Sequence, residues 1–427
     1  MSPSKKQKRK LHLSILVEQE LQGLSPIQTI MKMTEDQEIR TMGLDPLEVI
    51  SFGGGWCNHT APDALRTAYQ TIINDVRLFH QSGRYSPIIG DSACREQICR
   101  FEETLYGLKS LESQNILLGQ SSTQLFHDVL RVVCNPGEPI AFLDPTYANY
   151  LNAVKCALPG SSFWFVPALD PRTWTYLQNP DASLELLKQF CEKGLRVFVI
   201  PVPDNPTSQI PSEEFLKSSL EIMTDAGGYL LLDHAYKALW FGDMPPCYSW
   251  SPVDNPHLIS IHSNSKWLSS LGRRLGWAEA HETVIQGLEK INESVLLSPD
   301  SLHSMTTARF LEQTLKDGSL QQYIQDIRKL YRKTAEVMVS SMDSSLGWKR
   351  LTPDGGLYTC CPTPHQVAPR GFVEHLLKAT GVLLIPGTGF GPSMNNGLRL
   401  SYGPLCYNHD QIVEGIERIG QYLKKTR

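Results

Sequence analysis

The feature of this 427-residue chain that most narrows its fold is a series of short, almost uninterrupted apolar runs, most of them closing in a polar cluster. Candidate strands are Asn115–Gly119, Pro139–Asp144, Leu195–Pro201, Gly228–Asp233, His257–Ser263 and Leu275–Ala280. Apolar runs of this length without polar alternation describe strands buried on both faces, as in a mainly parallel sheet covered by helices. The segments between several of them carry helical periodicity. Thr123–Val133 places Leu125, Phe126, Val129, Leu130 and Val133 on one face, and Ser212–Thr224 does the same with Phe215, Leu216, Leu220 and Met223.

After about residue 300 the texture changes. A long helical stretch, Ser304–Ser341, leads to strand-like Gly356–Cys361 and Val382–Pro386 and a closing helix, Asp410–Lys424. The expected fold is therefore α/β. A three-layer αβα large domain with a mainly parallel sheet spans 50–300, and a smaller α+β domain comprises 301–427 together with the arm 1–49. Charged residues are 20% of the chain and the net charge is −4, which gives no basis for a nucleic-acid surface. The basic run Lys5–Lys10 reads as a solvated tail. No apolar run reaches the roughly 20 residues of a membrane span and no signal-type segment follows the basic residues, so a cytoplasmic protein is expected. The ten cysteines form no CxxC pair, which favours buried thiols over zinc or disulfides.

Ligands of open parallel sheets bind beyond the carboxyl ends of the strands, so the polar clusters there carry the functional argument. Ser121-Ser122-Thr123 opens a helix and can cap it, or can face a phosphate. Tyr147 and Tyr150 follow the next strand, where a ring serves packing or stacks on a flat ligand. Asn205 lies in a Pro-rich turn. Asp233 ends a very apolar strand, where a carboxylate is costly unless paired with a cation. Ser263, Lys266 and Arg274 set an amine beside a possible anion site. Each cluster alone has an ordinary structural explanation.

In combination and order these clusters resemble fold-type-I pyridoxal 5'-phosphate enzymes, specifically the class I/II aminotransferases of the aspartate aminotransferase superfamily, from about Ile50 to Tyr402. The resemblance implies that Lys266 carries the cofactor as a Schiff base and Asp233 pairs with its pyridine nitrogen. Tyr236 and Asn205 would bond its phenolic oxygen, and Tyr147 would stack on the ring. Ser121, Ser122, Thr123, Ser263 and Arg274 would form the phosphate cup. Tyr85 would reach the phosphate of a neighbouring subunit, which implies a homodimer. Arg399 would grip the substrate α-carboxylate, with Asn205 and the backbone N–H of Gly55 beside it. The catalytic set is then Lys266, Asp233 and Tyr236, with an amino acid as substrate, no metal and no membrane partner.

The chain departs from the family pattern in places. Ser208 stands where a glycine is common, and Ser121-Ser122-Thr123 replaces Ser-Gly-Thr. The loop Trp56-Cys57-Asn58-His59 replaces the more usual Asp-Pro-Asp-Phe; it is either a packed loop or a source of an extra acid or base. The leading expectation is amino transfer from an amino acid to a 2-oxo acid, in amino-acid metabolism. The alternative is a non-transaminating relative, a β/γ-eliminating lyase or a capreomycidine/enduracididine-type cyclase acting on a hydroxylated arginine. About 50 residues precede the first motif, fewer than a fused DNA-binding domain with its linker needs, so a regulator is not expected.

Overall fold

A computed structural model describes residues 12–21, 23–364 and 367–426; the basic run Lys5–Lys10 lies outside them. The six expected strands join a seventh in one sheet. In chain order they are β1 (Ile116–Gly119), β2 (Ile140–Asp144), β3 (Phe163–Pro167), β4 (Val197–Pro201), β5 (Tyr229–Asp233), β6 (Leu258–Ser263) and β7 (Gly276–Glu279). Across the sheet the order is β1-β7-β6-β5-β4-β2-β3. All pairings are parallel except those of β7, which runs antiparallel to β1 and β6. The unanticipated β3 is an edge strand whose Phe163, Trp164 and Phe165 are only half-buried.

The sheet is apolar on both faces, as the uninterrupted runs require. Leu230 and Leu232 pack on one side with Phe101, Phe215 and Leu311, and Leu231 packs on the other with Phe126, Val129 and Leu288. Helices therefore cover both faces, giving three layers.

A second, three-stranded sheet contains β8 (Tyr358–Pro362), β9 (Ile385–Pro386) and β10 (Gly397–Ser401) in the order β8-β10-β9. Helices Ser319–Ser345, Pro369–Thr380 and His409–Thr426 pack around it through Met338, Leu376 and Ile416. The expected single strand Val382–Pro386 divides. Val382–Leu383 pairs in parallel with Ile50–Ser51, whereas Ile385–Pro386 pairs with β10. The expected long helix also divides, into Ser301–Asp317 and Ser319–Ser345. Gly318 sits between them at φ 76°, a left-handed conformation that glycine adopts without steric cost and that stops the first helix. Among the cysteines, Cys57, Cys94, Cys134, Cys247, Cys360, Cys361 and Cys406 are buried free thiols.

Candidate active site

The strand topology gathers the polar clusters at one edge. β1, β2, β4, β5 and β6 all present their carboxyl ends there, and β7, running the other way, presents its start. Gly276 pairs with both Gly119 and Ser263, which brings Arg274 to the same edge as Ser121. A Cβ on Gly276 would stand 2.9 Å from the Ser121 carbonyl carbon, so only glycine allows this approach. Ser121 caps the helix Ser122–Val133, its Oγ accepting from the Gln124 N–H at 3.3 Å. Ser263 Oγ donates to Ser265 Oγ at 2.8 Å and accepts from the Ser265 N–H at 3.1 Å. Arg274 adopts φ 53° and donates to the Leu271 carbonyl at 2.7 Å.

These groups line a cavity of about 440 Å³. Every residue expected at the site lines it except Tyr85, which is 83% exposed beside a separate surface depression. Asp233 accepts from Tyr150 Oη at 2.6 Å and from the Ala235 N–H at 2.8 Å. Burial raises its carboxyl above the ordinary 3.8, and those two bonds offset only part of the rise. Lys266 Nζ donates to the Gly55 carbonyl at 2.5 Å and lies 5.5 Å from the centre of the Tyr236 ring. Tyr236 and Tyr358 share a hydrogen bond of 2.7 Å between their hydroxyls. Tyr147 meets Tyr150 edge-on with ring centres 5.4 Å apart, and burial pushes its phenol up to about 12. Arg399, on β10, donates to Asn205 Oδ1 at 3.2 Å and to the Gly53 carbonyl at 2.9 Å. Its guanidinium stands 4.5 Å from the Tyr358 ring centre, and its Nε–H is buried without an acceptor.

Ser208 explains itself once the backbone is seen. It holds φ 57°, the region that favours the glycine common at this position. Its Oγ accepts from the Tyr358 N–H at 3.0 Å, a bond glycine cannot make. Sequence reasoning offered Tyr150 only as a packing or stacking ring, not as the partner of Asp233, and assigned no role to Ser265 or Tyr358. Ser265 stood within a cluster already singled out; Tyr358 arrives from the other sheet and had no local signal.

The Trp56–His59 loop divides between cavity and core. Trp56 lines the cavity. His59 is held by Tyr331 at 2.8 Å, Tyr323 at 2.9 Å and the Trp267 carbonyl at 3.1 Å. Burial lowers its pKa to about 4, so it is a neutral packing residue, and Cys57 is a buried thiol with its pKa pushed up by burial. His234 is likewise buried, against Tyr248 and His262. Beneath the strand ends lies a buried charge network. Lys237 Nζ meets Glu102 at 2.5 Å, His262 meets Glu279 at 3.2 Å, and Trp277 Nε1 donates to Glu279 at 2.9 Å.

Pyridoxal 5'-phosphate fits this donor set. Hydroxyls and a guanidinium suit a phosphate at a helix N-terminus. A deeply buried carboxylate with its pKa raised calls for a cation such as a protonated ring nitrogen. A lysine amine lines the same cavity, and the buried, unsatisfied Arg399 Nε suits a carboxylate.

Residues 48–419 match the family model for aminotransferases of class I and II. The chain is 27% identical to the LL-diaminopimelate aminotransferase of Maridesulfovibrio salexigens, over 90% of this chain and 93% of that one. It is 27% identical to the 2-aminoadipate transaminase of Thermus thermophilus, over 88% of this chain and 90% of that one. Its fold superposes with a TM-score of 0.82 on the aspartate aminotransferase from Thermus thermophilus with maleate, at 20% identity, covering 96% of this chain and all of that one. With the family match spanning both sheets and the cavity between them, the chain belongs to the class I and II aminotransferases, a family of pyridoxal 5'-phosphate enzymes.

Proposed function

We propose that this enzyme moves the amino group of an amino acid to a 2-oxo acid, with Lys266 as both anchor and proton carrier. The observation that carries this reading is the meeting of Lys266, Asp233 and Arg399 in one cavity, since transamination needs an amine, a charge partner for the ring and a carboxylate clamp. When bound, pyridoxal phosphate supplies an electron sink for the pair left at the substrate Cα. The Asp233 carboxylate, oriented by Tyr150 and the Ala235 N–H, would pair with a protonated ring nitrogen. Asn205 and Tyr236 would serve the phenolic oxygen, Tyr147 would stack on the ring, and Ser121, Ser122, Thr123, Ser263 and Arg274 would hold the phosphate. Arg399 turns its guanidinium on the substrate α-carboxylate, with the Gly55 N–H nearby, and so fixes the direction of the Cα–H bond. Lys266 Nζ takes that proton; general-base help of this kind is worth about 10²–10⁴ in rate.

Elimination and cyclisation lose their main support, because Cys57 and His59 are committed to packing. The test is a donor panel with purified enzyme and a 2-oxo acid acceptor, analysed by chromatography. Equimolar 2-oxo acid and new amino acid are expected; product formed without any acceptor would overturn the proposal.

We further infer a homodimer in which Tyr85 reaches the phosphate end of the partner's cavity. Ile73, Val76, Phe79 and Tyr85 leave apolar side chains at least half exposed along one segment, which supports a covered face there. A division into domain 50–300 and domain 301–427 with 1–49 is part of the same proposal, with the helix Ser301–Asp317 packing through Leu311 on the large sheet and the short strand Ile50–Ser51 pairing with Val382–Leu383. A cytoplasmic site rests on the sequence pattern; among the described residues no helix is long and apolar enough to cross a membrane.

A further inference from the structure

The helix Pro26–Met33 closes one side of the cavity and sets what can lie there. Ser25 caps it with a reciprocal pair, its Oγ accepting from the Gln28 N–H at 3.2 Å and the Gln28 side chain accepting from the Ser25 N–H at 3.0 Å. Pro26 suits the first turn. Ile30 docks it into a small core with Phe390, Ile385 and Met394. Residues at i, i+3 and i+4 share one helix face, and here that face turns Ile27, Ile30 and Met31 into the cavity. The opposite side is polar, with Lys32 paired to Glu38 at 3.6 Å. Trp56 completes the wall. A Cβ on Gly54 would stand 2.4 Å from the Trp56 ring, so the glycine lets the indole fold onto the backbone next to the Arg399 clamp at Gly53.

Met31 is 60% exposed and Trp56 41%, so both keep apolar surface available to a ligand. The cations lining the cavity among the described residues are Lys266, Arg274 and Arg399. On the proposed function all three are engaged, by the cofactor, its phosphate and the α-carboxylate. A second carboxylate laid against the helix wall would find no charged partner among this chain's own lining residues. An apolar side chain would instead cover Met31, whose unbranched thioether adapts to shape, and the flat face of Trp56.

We propose that the amino-acid substrate carries a bulky apolar side chain, of leucine to phenylalanine size, seated against Ile27, Ile30, Met31 and Trp56. This rests on the transaminase function. Its test uses the cofactor-loaded enzyme and calorimetry with amine-free analogues, 4-methylpentanoate and 3-phenylpropanoate against glutarate. The apolar acids are expected to bind about tenfold tighter or more, the scale of discrimination one or two methylenes give an apolar pocket. Met31→Lys should cut that ratio by about tenfold, and Met31→Leu should keep it. Glutarate binding as tightly as the apolar acids, or a ratio that Met31→Lys leaves unchanged, overturns the proposal. A parallel donor panel separates the two failures. If aspartate or glutamate is the best donor, the substrate class is wrong and transamination stands. If no donor passes its amino group to any 2-oxo acid, the proposed function itself fails.

Discussion

At the scale of single residues, Asp233 and Ser208 carry the clearest consequences. On the proposed function Asp233 would bind a ring cation only when ionised, and burial makes that ionisation harder. Cofactor affinity should therefore fall on acidification through a range above the ordinary carboxylate value of 3.8, which a pH series of spectrophotometric titrations measures. Asp233→Asn removes the charge and keeps the shape. It should weaken the cofactor by about thirtyfold or more, since losing one partner of a buried charged pair costs about 2 kcal/mol or more. Ser208→Ala keeps the left-handed backbone and removes the acceptor of the buried Tyr358 N–H. The expected loss is about 1–3 kcal/mol in denaturant unfolding. At the site Lys266, Asp233 and the strand-end hydroxyls were legible in the sequence because each lies in the polar cluster that closes an apolar run. Tyr358 was not, because its meeting with Tyr236 depends on how one sheet sits against another.

At the scale of elements, the loops that follow β4 and β5 stand on buried polar groups. Lys237 follows Tyr236, His262 precedes Ser263 and His234 follows Asp233, so the buried network lies one residue from three site residues. Lys237→Met would leave Glu102 buried with only the more distant His262, at 3.8 Å. A loss of about 3–5 kcal/mol is expected, read as a fall in denaturant midpoint. Asp204, in the turn after β4, is fully buried and accepts from the Thr207 N–H at 3.2 Å; burial raises its carboxyl from 3.8 to about 7. The folded chain holds that proton more tightly than the unfolded chain. Stability present below pH 3.8 is thus lost as pH rises towards about 7, at up to about 1.4 kcal/mol per pH unit. Asp204→Asn should remove this slope from the stability–pH curve. Six of the seven strands of the large sheet could be read from pattern alone, since burial on both faces leaves an unbroken apolar run; the half-buried edge strand β3 could not. The division of Val382–Pro386 could not, because each half is defined by a distant partner, Ile50–Ser51 or β10.

At the scale of the whole molecule, the cavity lies where the carboxyl edge of the large sheet meets β8 and β10 of the smaller one. Each sheet supplies what the other lacks: Lys266 and Asp233 from the first, Arg399 and Tyr358 from the second. A dimer would complete the site with Tyr85, and sedimentation should give twice the mass of the chain, with Phe79→Glu shifting it towards monomer. The role on which everything else depends is that of Lys266. Borohydride treatment of the cofactor-loaded enzyme, followed by peptide mapping, tests it most directly. The predicted result is the reduced cofactor fixed to Lys266 and to no other lysine; cofactor fixed elsewhere with Lys266 unmodified would contradict it.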